Sequence, residues 1–322
     1  MLHACFDLEP PFTTPHLMAG NDMSASFLWD VIGVGAATLD DLWLVPDFQA
    51  TEGVHQALDH VTMGGGPVAT ALVVLAWLGS KTALVDICGD DVAGFAVTEE
   101  LDRLGVHTAW VQRSPAATTT QAVVLVREPD GARQITFLPC SAGEPVLTEE
   151  LVQGLQSARL LHLNGRHENL AREAVHLMQA VGGVISWDGG AGRYRDSIRE
   201  LVEASHLRIV SREFAERYTG LKDLKAVMHA LMAAPARLVV ITDGIRGSYG
   251  WTGAGEIIHQ PAHPVSRVVD TTGCGDVYHG AFLHGWLSGW DLSRCMEFAS
   301  RLAAQNASGL GGRFVCHPQP GS

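Results

Sequence analysis

Along this chain, short apolar runs bounded by glycine, proline or aspartate alternate with longer stretches in which apolar residues recur every three or four positions. The first pattern predicts buried strands and the second amphipathic helices. Residues 29–34 (Trp-Asp-Val-Ile-Gly-Val) read as a first strand, and the alternating residues 42–45 as a stretch that breaks at Pro46. Residues 47–63 are polar and mixed, consistent with a strand pair projecting from the main body. The helix expected over 68–78 opens on Gly64-Gly65-Gly66-Pro67 and closes on Gly79. It is apolar nearly all round, which calls for burial on every side. A strand over 82–87, a helix over 95–104 stopped by Gly105, and a hairpin of 118–126 with 134–138 around Pro129-Asp130-Gly131 follow.

From Thr148 the rhythm is regular. Helices over 149–155, 170–181, 197–204 and 214–233 alternate with strands over 160–163, 184–187, 207–210 and 238–242. A second hairpin, 248–251 with 256–259, and two helices, one ending near 287 and one over 292–308, complete the pattern. Strands and helices alternating at this spacing give a parallel sheet covered on both faces. The expectation is an α/β fold in one domain over 29–318, with a small β extension from about 42–63 and parts of 107–138. Residues 1–28 contain three prolines and no basic cluster, and are expected to form a disordered extension, with Met23 as an alternative start.

Composition narrows the function classes. The net charge is −13, from 22 basic against 35 acidic residues, with no basic run. That balance disfavours a nucleic-acid or anionic-membrane surface, both of which need clustered lysine and arginine. No apolar run reaches the length of a membrane span. Six cysteines lie scattered without a Cys-x-x-Cys pair, so reduced thiols in a cytoplasmic protein are expected rather than a zinc site or a disulfide framework.

Candidate chemistry concentrates in Asp270-Thr271-Thr272-Gly273-Cys274-Gly275-Asp276, which follows a valine-containing run and opens a helix. A glycine-rich turn at a helix start leaves several N–H groups unpaired, and the helix dipole adds positive charge there. The turn is therefore a seat for an anion, with the carboxylate of Asp276 at its edge. A cradle of this kind suits a reaction that deprotonates a hydroxyl while negative charge builds on a phosphoryl group. The plain alternative is a helix start that needs glycines to turn.

With these pieces in order, the chain resembles the PfkB/ribokinase family of carbohydrate kinases over roughly residues 30–318. Three motifs carry the resemblance: Gly35-Ala36-Ala37-Thr38-Leu39-Asp40, Gly64-Gly65-Gly66-Pro67-Val68-Ala69-Thr70-Ala71, and Asp270 to Asp276. It implies a ribokinase-like fold, ATP and Mg2+ as cofactors, and phosphorylation of a hydroxyl, usually a primary alcohol of a sugar or nucleoside. Asp276 matches the family's base, Gly273, Cys274 and Gly275 its anion hole, and Asp40 the aspartate that holds sugar hydroxyls. Gly65, Gly66 and Thr70 belong to the sugar-binding signature. The resemblance also implies a β lid that often forms the contact of a homodimer. Asp270 and the Thr272 carbonyl resemble the family's K+ site.

On the nucleotide side, residues 242–247, with Thr242, Gly244 and Gly247, resemble the loop lining the nucleotide. Ser211 stands where many members have the asparagine of Asn-x-x-Glu, and Glu213 comes one position early, which alters the expected magnesium network. The glycine motifs, with Gly311-Gly312-Arg313, look most like the sulfofructose kinase branch, then ketohexokinase-like members. Arg166, at a strand end, suits an anionic sugar tail, whereas Phe137 replaces a polar asparagine of that branch. Gln121, with His167 and Glu168, offers further hydroxyl contacts. A nucleoside kinase on the same fold, with Trp43 or Phe137 stacking on a base, is an alternative. So is a non-catalytic sugar-binding regulatory protein.

Overall fold

The computed structural model describes residues 27–49 and 51–317; nearly all of the expected N-terminal extension lies outside them. The chain opens with β1 (Trp29–Val34), β2 (Thr38–Val45), β3 (Asp59–Gly65), α1 (Pro67–Trp77), β4 (Thr82–Gly89) and α2 (Val92–Arg103). Then come β5 (Val106–His107), β6 (Val111–Ser114), β7 (Gln121–Arg127), β8 (Arg133–Leu138), α3 (Glu149–Gln156), β9 (Ala158–Leu163) and α4 (Glu168–Ala180). The run continues with β10 (Val184–Gly189), α5 (Arg199–Glu203), β11 (Leu207–Ser211), α6 (Arg212–Thr219), α7 (Leu224–Leu231) and β12 (Leu238–Thr242). It closes with β13 (Ser248–Trp251), β14 (Ile258–Gln260), α8 (Cys274–Leu287) and α9 (Leu292–Asn306).

The main sheet runs in the order β14-β13-β12-β11-β10-β9-β1-β4-β5, with β6 also on β4. Its pairs from β12 to β5 are parallel, and β13 and β14 add an antiparallel edge. Successive strand residues point to opposite faces, and here both faces are dry. Val31, Leu84 and Leu160 join a core with α1, α8 and α9. Ile32, Val85 and Leu161 join a second core with α3, α4, α6 and α7. Helix α1 is buried from Val68 through Leu75, as its all-round apolar pattern requires.

The expected helix over 214–233 is two helices. Gly220 ends α6 at φ +72°, and Asp223 caps α7 by accepting the Ala226 N–H at 2.9 Å. The apolar period resumes in phase after this break, which hides it from periodicity alone. Strands β5 and β6 were not expected from the pattern; both are short additions to the β4 side of the sheet.

A separate four-stranded sheet, β3-β2-β7-β8, forms the lid. Within it β2 pairs with β7 in parallel, and the other pairs are antiparallel. Leu42, Met63, Ala122, Val124 and Val126 are its buried cluster. Strand β2 starts at Thr38, so Asp40 lies within a strand rather than in a turn.

Candidate active site

Helix α8 starts at Gly273, whose φ of +70° and tight approach to Gly312 leave no room for a side chain. A Cβ there would come within 2.2 Å of the Gly312 carbonyl oxygen. The first-turn amides of a helix have no carbonyl one turn back. That of Cys274 leans on the Thr271 carbonyl at 3.4 Å, and Gly275 is exposed with nothing within 4 Å of its missing side chain. Asp276 stands in this same first turn. Burial pushes its carboxyl up to about 6, with the Asp188 and Asp40 charges adding to the rise and Arg193 and Arg133 opposing it. Asp188 and Arg193 come from β10 and the loop after it, and Asp40 and Arg133 from the lid strands β2 and β8, so Asp276 on α8 lies where the main sheet and the lid meet.

On one side of Asp276 is the lid. Asp40 pairs across β2 with Met63 and Ala122, and its Oδ1 accepts a hydrogen bond from the Thr38 hydroxyl. Burial raises its pKa, against the hydrogen bond from Thr38 and the charge of Arg313. A Cβ on Gly65 would fall 1.9 Å from Asp40 Oδ2, so glycine is what lets the carboxylate lie against this backbone. Gly66, at φ +91°, leads directly into α1. Thr70 is buried beneath the turn, with its hydroxyl accepting from Arg313 Nε at 3.2 Å.

Arg313 organises this turn. It is fully buried, donates to the Gly65 carbonyl at 2.8 Å and pairs with Glu100 at 3.0 Å, while Glu100 also accepts the Gly64 N–H at 2.5 Å. Sequence reading noted Arg313 only as the end of a glycine motif. Its partners are distant in the chain, which leaves no local signal of this role.

Register sorts the lid side chains by face. Asp40, Ala122 and Phe137 share one row, as do Leu42, Val124 and Ile135. Phe137 therefore shares the face of Asp40, with 61 % of its surface exposed. Gln121 pairs with Leu39 and Leu138, one residue out of step, which puts it on the opposite face from Asp40. Arg133, on the Phe137 face, donates from Nη1 to the Thr271 carbonyl at 2.9 Å and to its hydroxyl at 2.7 Å. The lid is thereby tied to the anion turn.

At the carboxyl ends of the main strands, Arg166 follows β9 and is partly buried; its backbone N–H donates to Asn164 Oδ1 at 3.1 Å. No bond or ion pair involves its guanidinium among the described residues. His167 and Glu168 are engaged by protein groups: His167 Nε2 meets Asp86 Oδ1 at 2.7 Å, and Glu168 pairs with Arg172 and Arg195. Past β10, Arg193 Nη1 lies 3.4 Å from Asp188 Oδ2, and His279 faces the other oxygen at 3.3 Å. Asp188, Arg193 and Arg133 are the site neighbours that sequence reading missed.

Further along the same edge, Ser211 caps α6 by accepting the Phe214 N–H at 3.1 Å, and Thr242 ends the adjacent strand. Glu213 Oε2 accepts the Gly192 N–H at 2.6 Å, so this carboxylate steadies the loop that carries Arg193. In the loop after β12, Gly244 and Gly247 have φ of +57° and +87°. A Cβ on Gly247 would sit 2.0 Å from the Gln260 carbonyl oxygen. Asp243 and Arg246 close the loop with bonds of 2.8 and 2.6 Å.

Beneath the turn, Asp270 is fully buried and accepts the Thr272 N–H at 2.7 Å and the Gly311 N–H at 2.9 Å. The Thr272 carbonyl accepts from Asn306 Nδ2 at 3.1 Å. Burial pushes the Cys274 thiol up to about 12, so it is neutral at ordinary pH and no nucleophile. Five cysteines, Cys88, Cys140, Cys274, Cys295 and Cys316, are free thiols among the described residues.

Together these features place a glycine turn at a helix start, a carboxylate in its first turn and a lid bearing a second carboxylate around one edge of an α/β sheet. The chain belongs to the pfkB family of carbohydrate kinases, whose model matches residues 30–319. It is 25% identical over 296 residues to 5-dehydro-2-deoxygluconokinase of Shouchella clausii, covering 86% of this chain and 89% of that one. It is 27% identical over 292 residues to an ATP-dependent ribose-1-phosphate kinase of Halopiger xanaduensis, covering 88% and 93%. In fold it matches Arabidopsis thaliana ribokinase complexed with ribose and ATP, at a TM-score of 0.76 and 22% identity over 89% of this chain and 95% of that one. The protein is thus an ATP-dependent carbohydrate kinase with a ribokinase-like fold. No helix among the described residues is long and apolar enough to cross a membrane.

Proposed function

We propose that the protein transfers the γ-phosphoryl group of ATP to a hydroxyl, a primary one, of a sugar acid or other anionic sugar. One observation carries this reading: Asp276 stands in the first turn of α8 with the Gly273–Gly275 amides, within electrostatic reach of Asp40, Arg193 and Arg133. A hydroxyl held by Asp40 would give its proton to Asp276 as the oxygen attacks. The Gly273–Gly275 amides and Arg193 would receive the charge that develops on the phosphoryl oxygens.

ATP would lie along the edge formed by Ser211, Thr242, Gly244 and Gly247. No cluster of three His, Cys, Asp or Glu side chains suited to a metal occurs among the described residues, and Glu213 is engaged with Gly192. That fits magnesium, which keeps several waters and binds mainly through the nucleotide phosphates. When bound, it would neutralise the charge on those phosphates.

The free guanidinium of Arg166, next to Asn164 at the acceptor end, favours an anionic acceptor, since its fork matches carboxylate, sulfonate or phosphate. Phe137, in the row of Asp40, would lie against the apolar face of the sugar. Thr70 acts from below, through Arg313 and the Gly65–Gly66 turn. Gln121, on the opposite lid face with Val123 and Trp43, fits a contact with a second copy of the chain rather than with this subunit's sugar. These elements form one kinase domain over 29–318, and its free thiols suit a cytoplasmic setting.

The test is a coupled ATP-consumption assay over neutral hexoses, keto-deoxy sugar acids, sugar phosphates and nucleosides. Phosphorylation of an anionic sugar, lost in Arg166→Ala while neutral sugars are unaffected, is the expected result. Preference for a nucleoside, or an Arg166→Ala enzyme with unchanged kinetics, would overturn the acceptor assignment.

A further inference from the structure

The buried cluster under the glycine turn is closed by hydrogen bonds between protein groups. Two carbonyl oxygens, of Thr272 and Gly311, converge on one point, and Asp270 lies beside them. Carbonyls and a carboxylate are donors that a hard cation takes. The point where they converge is filled by Nδ2 of Asn306, which donates to Thr272 O at 3.1 Å and to Gly311 O at 3.4 Å. Its Oδ1 accepts the Val315 N–H at 3.1 Å. Acceptors on one side and an N–H donor on the other permit only this amide orientation. Asn306 is fully buried, so its side chain cannot swing out to water.

Asp270 completes the arrangement. Its two oxygens accept the N–H groups of Thr272 and Gly311, the residues whose carbonyls Asn306 takes. Each of the two peptide segments is thus held once through its N–H and once through its C=O. In this cluster the Thr272 hydroxyl has no partner among the described residues, and one hydroxyl is not a coordination shell.

We infer that the Asn306 amide occupies the position a monovalent cation would take, so that the anion turn is held in place by the protein itself and the enzyme works without K+. A cation and the amide nitrogen cannot share one point, and displacing the buried amide would strand the Val315 N–H and leave the Asn306 side chain itself without its partners. The catalytic part of this inference rests on the Gly273–Gly275 turn being the anion hole; the structural part does not.

Melting in different salts tests it. Melting of the wild-type protein is compared in KCl, NaCl and tetramethylammonium chloride at equal ionic strength, with and without ATP. The same midpoint in all three salts is expected, because an ion that binds the folded state raises it. A K+-specific rise overturns the inference. In Asn306→Ala the carbonyls are released, and a K+-specific rise is expected there alone. A variant insensitive to K+ as well means the carbonyls do not form a cation position, which also overturns it. If Asn306→Ala does not fold, crystals of the wild-type protein soaked in thallium(I) decide by anomalous scattering: a peak between Thr272 and Gly311 refutes the assignment, and its absence there supports it. Phosphoryl transfer at equal rates in the three salts is expected in parallel. Absence of any transfer would count against the kinase reading and leave the melting result standing.

Discussion

Arg193 Nη1 lies 3.4 Å from Asp188 Oδ2, and the pair flanks Asp276 at the carboxyl end of β10. Asp188 is ionised: burial opposes its charge, but His279 and Arg193 hold its pKa below the usual carboxylate range. The ion pair holds the guanidinium where its charge favours the ionised form of Asp276, the proposed base.

Two consequences of replacing Arg193 follow. Arg193→Ala should lower kcat by about 10²–10³-fold, the usual loss for one preorganised donor to a developing oxyanion. It should also move the acidic limb of the pH–rate profile upward, because Asp276 loses a cation that favours its ionised form. A lower rate with an unmoved limb would assign Arg193 a structural role only.

As the proposed base, Asp276 should set the pH dependence. A base with its pKa near 6 must be ionised to act, so log kcat/KM should rise with unit slope up to about pH 6 and then level off. Asp276→Asn should cost about 10²–10⁴-fold in rate while ligand binding stays within a few-fold. Its stability effect has the opposite sign. The raised pKa contributes stability that is fully present below the unfolded value near 4 and is lost as pH rises through about 6. The asparagine variant should therefore be more stable than wild type at pH 8, by on the order of 2 kcal/mol. Denaturant melts at pH 8 and pH 4 measure this gap, which should close at the lower pH.

Gly65→Ala should imitate loss of Asp40. The added Cβ would fall 1.9 Å from Asp40 Oδ2, so carboxylate or strand must shift. Asp40→Ala and Gly65→Ala are each expected to raise the sugar KM sharply, and the double variant to be little worse than either, since neighbouring sites do not add. Fully additive losses would mean that Gly65 acts apart from Asp40.

Arg313→Met should destabilise the fold by about 3–5 kcal/mol, because it leaves Glu100 charged and unpaired in a nearly dry site. Adding Glu100→Gln should recover part of the loss, as equilibrium unfolding would show. No recovery in the double variant would locate the cost in the Gly65 and Thr70 bonds instead.

The outer lid face predicts self-association. Trp43 is 37 % exposed, Val123 48 % and Leu138 57 %, a larger apolar surface than an edge sheet usually presents to water. Val123→Glu should shift a dimer to monomer in sedimentation equilibrium. A wild-type monomer at micromolar concentration would rule the lid contact out.

How much of this was legible in the chain depends on the range of the interaction. Burial of α1 followed from its all-round apolar pattern, and the glycine turn before Asp276 announced a helix start, because both are set by residues within a few positions. Asp40 was singled out only through resemblance; its place inside β2, rather than in a turn, came from pairing with β3 and β7, and its position against Gly65 came from the fold. The break between α6 and α7 had its signals in Gly220 and Asp223, masked by an apolar period that continued across them.

By itself, the sequence determined the α/β alternation, the order of the glycine motifs and the residue types available for phosphoryl transfer. Hydrophobic period and turn chemistry are local, so they survive in one dimension. Only the tertiary structure decided that Arg133 would bond Thr271, that Arg313 would lie under Gly65 and Thr70, and that Asn306 would sit between Thr272 and Gly311. It also decided lid parity, with Phe137 on the face of Asp40 and Gln121 on the other. Strand register and long-range packing fix these contacts, and a shift of one residue in register would reverse every side chain in the row.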